Sequence, residues 1–288
     1  MVQEPMRYST LIDPETLHAH LNDPDWVVVD CRFSLTDPEA GRRAYRQGHI
    51  PGARYAHLDE DLAGPRTLGN GRHPLPDPIR LTGTLGVWGI HNATQVVAYD
   101  DAGGAIAARL WWLLRWLGHR RCAVLDGGLP AWRREGLPLS TAIPKPPPAL
   151  FIERHDDTLW VDSAYILTQL SQGDHLLLDA RTAVRYRGEL EPLDPVAGHV
   201  PTAINLPLEG NLTVEGCFLE PEALRERFTA VVTERAPASV VHMCGSGVTA
   251  CHNLLAMEVA GLSGSRLYPG SWSEWIRDPS RPVVTGES

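Results

Sequence analysis

The chain has 288 residues, is 43% hydrophobic and carries a formal net charge of -9. That length and apolar content support one large domain or two ordinary ones with real cores, and the acidic balance excludes a surface built to neutralise nucleic-acid phosphates or anionic lipid. The most apolar stretch, LWWLLRWLG at 110–118, is broken by Arg115 and falls far short of the roughly 20 residues a membrane helix needs.

In chain order, the opening MVQEPMRYST has no apolar signal core, so a cytoplasmic protein without membrane partners is expected. Residues 27–30, 96–100 and 122–126 are apolar throughout rather than alternating and end in Asp, which predicts buried parallel strands. Residues 104–118 predict a helix that supplies Trp111, Trp112 and Trp116 to a core. The stretch STAIPKPPPAL that follows cannot continue a helix or a central strand. It predicts a linker over 141–150 between domains at 1–140 and 151–288. Beyond it the apolar run VVHM ends at Cys244, and 249–261 predicts a helix closed by Gly261, with Thr249 as its cap.

The halves repeat each other. VVVDCR (27–32) answers LLLDAR (176–181), GHIPGA (48–53) answers GHVPTA (198–203), QVVAYD (95–100) answers SVVHMC (239–244), and GGLPAW (127–132) answers GSWSEW (270–275). Four matches in one order imply a tandem α/β architecture, each domain a mainly parallel sheet flanked by helices. His49 and His199 recur in both halves and are expected to hold loops rather than to react.

Five cysteines, Cys31, Cys122, Cys217, Cys244 and Cys251, suit a reducing compartment better than a disulfide framework. In VVHMCGSGVTACHNLL, Cys244 stands where a strand runs into a helix, at the sheet edge where α/β proteins bind ligands. Gly245 and Gly247 permit a tight turn whose N–H groups and helix dipole face its centre. A thiol there ionises more readily and is a candidate nucleophile. The competing reading is a small buried hydrophobe, which is the one that fits the other four cysteines. His242, Cys244 and His252 lack the paired spacings of a zinc site, so no metal or other cofactor is expected.

At these residues the chain resembles the two-domain sulfurtransferases of the rhodanese family, and its loop CGSGVT is similar to that of the 3-mercaptopyruvate branch. GHIPGA, LDGG and GSWSEW match further family motifs. The resemblance implies a persulfide on Cys244, formed from a small anionic donor and passed to a thiol or cyanide, a thioredoxin-like protein being one such acceptor. It implies substrate contacts from Gly245, Gly247, Val248 and Thr249, a carboxylate-binding Arg185 with Arg187 as substitute, and a relay of Ser246, His73 and Asp59. Asp100 takes the position of Cys244 in the first half, so that domain is expected to be silent and to wall an interdomain cleft.

The family often carries an arginine after EP, where this chain has Leu193. Since Gly245 to Thr249 supply only neutral donors, 3-mercaptopyruvate is expected to be preferred to thiosulfate. Two other classes remain in view. A Cys-dependent phosphatase or arsenate reductase commonly has an arginine at the sixth residue after the cysteine, here Ala250. A persulfide carrier serving a protein partner would need only Cys244 and its loop.

Overall fold

A computed structural model of the chain describes residues 8–287. The opening MVQEPMR, and with it most of the stretch examined above for a signal core, lies outside them. The chain forms two compact units. One takes in the chain as far as Leu62, Pro76–Asp156 and Glu215–Cys217; the other takes in Ala63–Leu75, Asp157–Val214 and the chain from Phe218 onward. The segment Ala63–Leu75 thus lies in the amino-terminal half of the sequence and packs in the second unit.

In the first unit the elements run β1 (Leu11–Ile12), α1 (Pro14–Ala19), β2 (Trp26–Asp30), α2 (Ala40–Gln47), β3 (Arg54–Tyr55), α3 (Pro78–Val87), β4 (Gln95–Tyr99), α4 (Ala107–Trp116), β5 (Cys122–Leu125) and α5 (Gly128–Arg134). All strand pairs are parallel, in the order β1-β5-β4-β2-β3. The central β4 is buried at every position, which is why it reads as a continuous apolar run. Asp13 and Asp77 cap α1 and α3, accepting from Thr16 N–H at 2.7 Å and Arg80 N–H at 2.9 Å, and a proline opens each helix. Val28, Val97, Tyr99, Leu125 and Trp132 share one core, and Trp111, Trp112 and Trp116 are buried as expected.

The second unit repeats the plan with α6 (Ser163–Gln172), β6 (Leu176–Asp179), α7 (Ala183–Tyr186), β7 (Ile204–Asn205), α8 (Pro221–Val232), β8 (Val240–Met243), α9 (Ala250–Val259), β9 (Arg266–Leu267) and α10 (Ser271–Trp275). Its parallel sheet has the order β7-β6-β8-β9, and a single parallel bridge from Trp160 to Leu267 stands where β1 pairs β5 in the first unit.

One predicted helix begins later than the sequence suggests, and another lacks its expected capping bond. α4 starts at Ala107 rather than at 104 because Gly103 and Gly104 take φ of 65° and 90°. The Asp100 carboxylate also draws the N–H groups of Ala102, Gly104, Ile106 and Ala107 inward, each at 2.8 Å. Thr249 precedes α9, but its backbone is already helical (φ -71°, ψ -16°) and its side chain makes no capping bond. An N-cap side chain reaches back only from extended backbone, so the expected cap is absent. Among the described residues no helix is long and apolar enough to cross a membrane.

Candidate active site

β8 delivers Cys244 to the carboxyl edge of its sheet, as the strand pattern requires. The chain then turns through Gly245, Ser246 and Gly247, the last at φ 73°. Only a glycine fits there, because a Cβ would lie 2.3 Å from the Pro269 carbonyl oxygen. The turn brings the N–H groups of Ser246 and Gly247 to 3.4 Å and 3.1 Å from Cys244 Sγ. Two backbone dipoles therefore point at the sulfur, the arrangement that stabilises an anion there.

α10 clamps this loop from outside. Cys244 N–H donates to Ser271 Oγ (3.1 Å), and the Cys244 and Gly245 carbonyls accept from Trp272 and Ser273 N–H at 3.0 Å and 2.9 Å. Ser271 adopts φ 52°, an unfavourable conformation for a side-chain-bearing residue, and its hydroxyl is held by donating to the Tyr268 carbonyl at 2.8 Å. Gly128 takes the same place in the first unit at φ 54°, and Leu129 N–H donates to the Asp100 carbonyl at 2.8 Å. The repeat of GGLPAW by GSWSEW is thus a repeat of loop clamping.

Ser246 and His73, 173 residues apart, are both buried, and Ser246 Oγ lies 2.7 Å from His73 Nδ1. They meet because Ala63–Leu75 packs in the second unit. Gly71 permits the approach, since a Cβ on it would lie 2.6 Å from the Gly270 carbonyl oxygen, and Arg72 N–H donates to Ser273 Oγ at 2.9 Å. Asp59 belongs to the first unit, in the loop after β3, where its N–H donates to His57 Nδ1 at 3.2 Å.

Arg185 sits in α7 with most of its side chain covered. Its Nε and Nη2 grip Glu191, the closest contact being 2.7 Å, and Nη2 reaches Asp194 at 3.3 Å. Those carboxylates come from EPLDP, the stretch where the expected second arginine is replaced by Leu193. Arg185 belongs to an alternating row. Asp179 pairs Arg181 at 2.7 Å, Arg181 reaches Glu191 at 3.4 Å, and Arg72 closes the row on Asp194 at 2.7 Å. Burial alone would lower the Arg181 pKa, but the fully buried Asp179 beside it, with Glu191 and Cys244, raises it, so Arg181 stays a fixed cation. Arg187, the expected substitute, instead pairs the exposed Glu189 at 2.7 Å.

Val248 is buried and Thr249 partly exposed at the end of the loop. His49 and His199 are structural, stacked on Tyr45 and Tyr186 and bonded through Nδ1 to those residues' carbonyls at 2.7 Å and 2.9 Å. Trp272 is buried under Arg181 and donates to the Val196 carbonyl at 2.9 Å. Burial pushes the Cys31 thiol well up and that of Cys122 up to about 12, and Cys251 packs with Sγ 3.4 Å from the Gly247 carbonyl. Cys217 is only partly buried, beside Arg134 Nη2 at 3.7 Å. One cluster, Glu39, His57 and Glu60, brings three metal-ligand atoms within 4.8 Å of one another, but Arg42 already bridges its two carboxylates at 3.4 Å and 2.6 Å.

Sequence reasoning missed Arg72, Arg181, Glu191 and Asp194. A signal existed for Arg181: DCR and DAR each encode a buried Asp–Arg pair, Arg32 meeting Asp30 at 2.6 Å as Arg181 meets Asp179. None existed for Arg72, whose partners lie 122 and 201 residues away.

Residues 13–135 and 163–278 each match the Rhodanese-like domain. The "Probable 3-mercaptopyruvate sulfurtransferase" of Pseudomonas aeruginosa is 50% identical over 284 residues, covering 98% of this chain and all of that protein. The thiosulfate sulfurtransferase of Rattus norvegicus is 32% identical, covering 95% and 93%. The 3-mercaptopyruvate sulfurtransferase from Leishmania major superposes with a TM-score of 0.83 at 30% identity, covering 96% of this chain and 77% of that one. Two matched domains, a thiol in a strand-to-helix loop and relatives of near-full coverage lead to one conclusion: the chain belongs to the rhodanese family and is a two-domain sulfurtransferase.

Proposed function

We propose that the chain takes sulfur from 3-mercaptopyruvate onto Cys244 and passes it to a thiol or to cyanide. The observation that carries this reading is the Cys244 loop, in which Ser246 and Gly247 N–H groups face the sulfur while Ser246 Oγ touches His73. The Cys244 thiolate attacks the donor sulfur and a sulfur–sulfur bond forms. The carbon–sulfur bond breaks, and its electron pair stays on carbon as the enolate of pyruvate, which takes up a proton. Ser246, oriented by His73, donates to the keto oxygen as that charge develops. Asp59 enters the relay on the family resemblance alone. An acceptor thiolate then attacks the outer persulfide sulfur and restores the Cys244 thiolate, a two-stage path with ping-pong kinetics.

Arg185 holds the donor carboxylate, and Gly245, Gly247, Val248 and Thr249 frame the turn it approaches. The first unit carries no sulfur, since Asp100 replaces the thiol. A thioredoxin-like protein of the cytoplasm is the acceptor that this thiol chemistry suits best. Thiosulfate is the second reading. It is favoured by the guanidinium groups of Arg72 and Arg185, which lie 3.2 Å and 3.5 Å from where a Gly245 Cβ would be, closer to the nucleophile than the neutral loop suggests.

Mass spectrometry after exposure to each donor tests the reaction. One added sulfur atom, lost on treatment with cyanide and never gained by Cys244→Ser, is expected, with kcat/KM higher for 3-mercaptopyruvate. Sulfur loading by Cys244→Ser would remove the nucleophile assignment.

A further inference from the structure

We propose that Arg72 is the second guanidinium of the donor-carboxylate site, facing Arg185 across Gly245. This rests on the donor reading above. Gly245 has no side chain, and a Cβ built on it would stand 3.2 Å from Arg72 Nη2 and 3.5 Å from both Nη1 and Nη2 of Arg185. Two cations from distant parts of the sequence thus converge on one point, next to the nucleophile, that the loop leaves empty of side chain.

Both have donors to spare. Arg72 Nε is buried without a hydrogen-bond partner, while its Nη1 and Nη2 hold Asp194 at 2.7 Å and 3.3 Å. A buried donor left unmade is costly, and an entering oxyanion is the kind of group that satisfies it. Arg185 spends Nε and Nη2 on Glu191 and Asp194, and its Nη1 makes no hydrogen bond among the described residues.

The placement is rigid. Arg72 N–H is bonded to Ser273 Oγ, and Ser273 N–H to the Gly245 carbonyl, so the arginine and the loop share one anchor in α10. Glu191 and Asp194 fix both guanidinium planes before any substrate arrives, which limits the ordering cost of binding. Asp194 stands one residue after Leu193, so the segment that lacks an arginine supplies the carboxylate that recruits one. The ligand class is a small carboxylate whose sulfur reaches Cys244.

Arg72→Ala and Arg72→Lys test this by two routes. In steady-state kinetics with 3-mercaptopyruvate, Arg72→Ala is expected to raise KM about tenfold or more, the range of one charge-assisted hydrogen bond. Its kcat should stay within about threefold, and Arg72→Lys should recover part of the KM. A KM unchanged in a folded Arg72→Ala protein overturns the assignment.

Alkylation of Cys244 by iodoacetate, an anion, against iodoacetamide, its neutral analogue, does not depend on which donor is used. The rate ratio is expected to fall several-fold in Arg72→Ala and to recover partly in Arg72→Lys. If wild type takes no sulfur from 3-mercaptopyruvate, the donor reading fails by itself and this ratio decides the Arg72 site, an unchanged value overturning it. Should Arg72→Ala not fold, Arg72→Gln takes its place as the loss variant, with Arg72→Lys still expected to recover in part.

Discussion

Gly245 and Gly247 are two residues apart in one loop, yet alanine at each should do opposite things. At Gly247 the backbone holds φ 73°, and a new Cβ would stand 2.3 Å from the Pro269 carbonyl oxygen and 2.8 Å from its Cα. Both neighbours are backbone, and the loop cannot retreat because Trp272 and Ser273 N–H groups hold the Cys244 and Gly245 carbonyls at 3.0 Å and 2.9 Å. Left-handed backbone costs a non-glycine residue about 1–2 kcal/mol, and overpacking about 1–3 kcal/mol more. Gly247→Ala should therefore lose roughly 2–5 kcal/mol, which lowers Tm by about 5–20 °C, and should no longer load sulfur. At Gly245 the nearest atoms are guanidinium ends 3.2–3.5 Å away, contacts that a shift of a few tenths of an ångström relieves. Gly245→Ala should melt with wild type but fill the place proposed for the donor carboxylate, raising KM about tenfold. Thermal unfolding followed by circular dichroism, with donor kinetics on both variants, checks the pair. Equal melting of Gly247→Ala and wild type would refute the packing argument, and wild-type KM in Gly245→Ala would refute the placement of the anion.

His73→Asn should cut kcat with 3-mercaptopyruvate by about a hundredfold, the scale of a lost acid–base partner, and should spare thiosulfate, which has no keto oxygen to polarise. Equal losses with both donors would count against the Ser246 and His73 roles. Fully buried His242 titrates at about 3 in the fold against 6.5 outside it, with desolvation as the cause, so the unfolded chain binds the extra proton. Its contribution is complete above about pH 6.5 and is lost as pH falls toward 3, by up to about 1.4 kcal/mol per pH unit. His242→Leu should therefore lose about 2 kcal/mol less than wild type between pH 7 and 5 in denaturant titrations, and equal acid sensitivity would refute the assignment.

The strands were legible because β2, β4, β5 and β8 are buried on both faces and so read as unbroken apolar runs. Cys244 was legible because a strand ending in a thiol and followed by Gly-Ser-Gly has few structural uses. The start of α4 was not, because side-chain bonds from Asp100 decide it; at α9 the cap position was legible, but the missing capping bond follows from the backbone angle of Thr249. The cation site was half legible. Arg185 lies ten residues or fewer from Glu191 and Asp194, its partners, whereas Arg72 reaches the same carboxylate from a segment whose packing in the second unit leaves no local periodicity to read.

Comparison of the two loops separates what the fold needs from what the chemistry needs. Each unit has the buried Asp–Arg pair, the strand that ends in a loop, and the helix start that clamps it. In the first unit the Asp100 carboxylate takes four N–H groups at 2.8 Å, so a covalently attached anion occupies the cradle. In the second, Cys244 Sγ takes two N–H groups at 3.4 Å and 3.1 Å, contacts that a larger and more polarisable sulfur anion can use. The difference extends to the cations. Arg32 pairs Asp30 and reaches the Gly48 carbonyl at 2.8 Å, Tyr99 OH donates to Asp30 at 2.7 Å, and no further ion pair extends from Arg32 among the described residues. Arg181 makes the same two contacts, at 2.7 Å to Asp179 and 2.8 Å to the Gly198 carbonyl, and then continues through Glu191, Arg185 and Asp194 to Arg72. The paired Asp and Arg are therefore part of the fold in both units, and the row beyond Arg181, found among the described residues only beside the thiol, is the part we assign to the proposed donor.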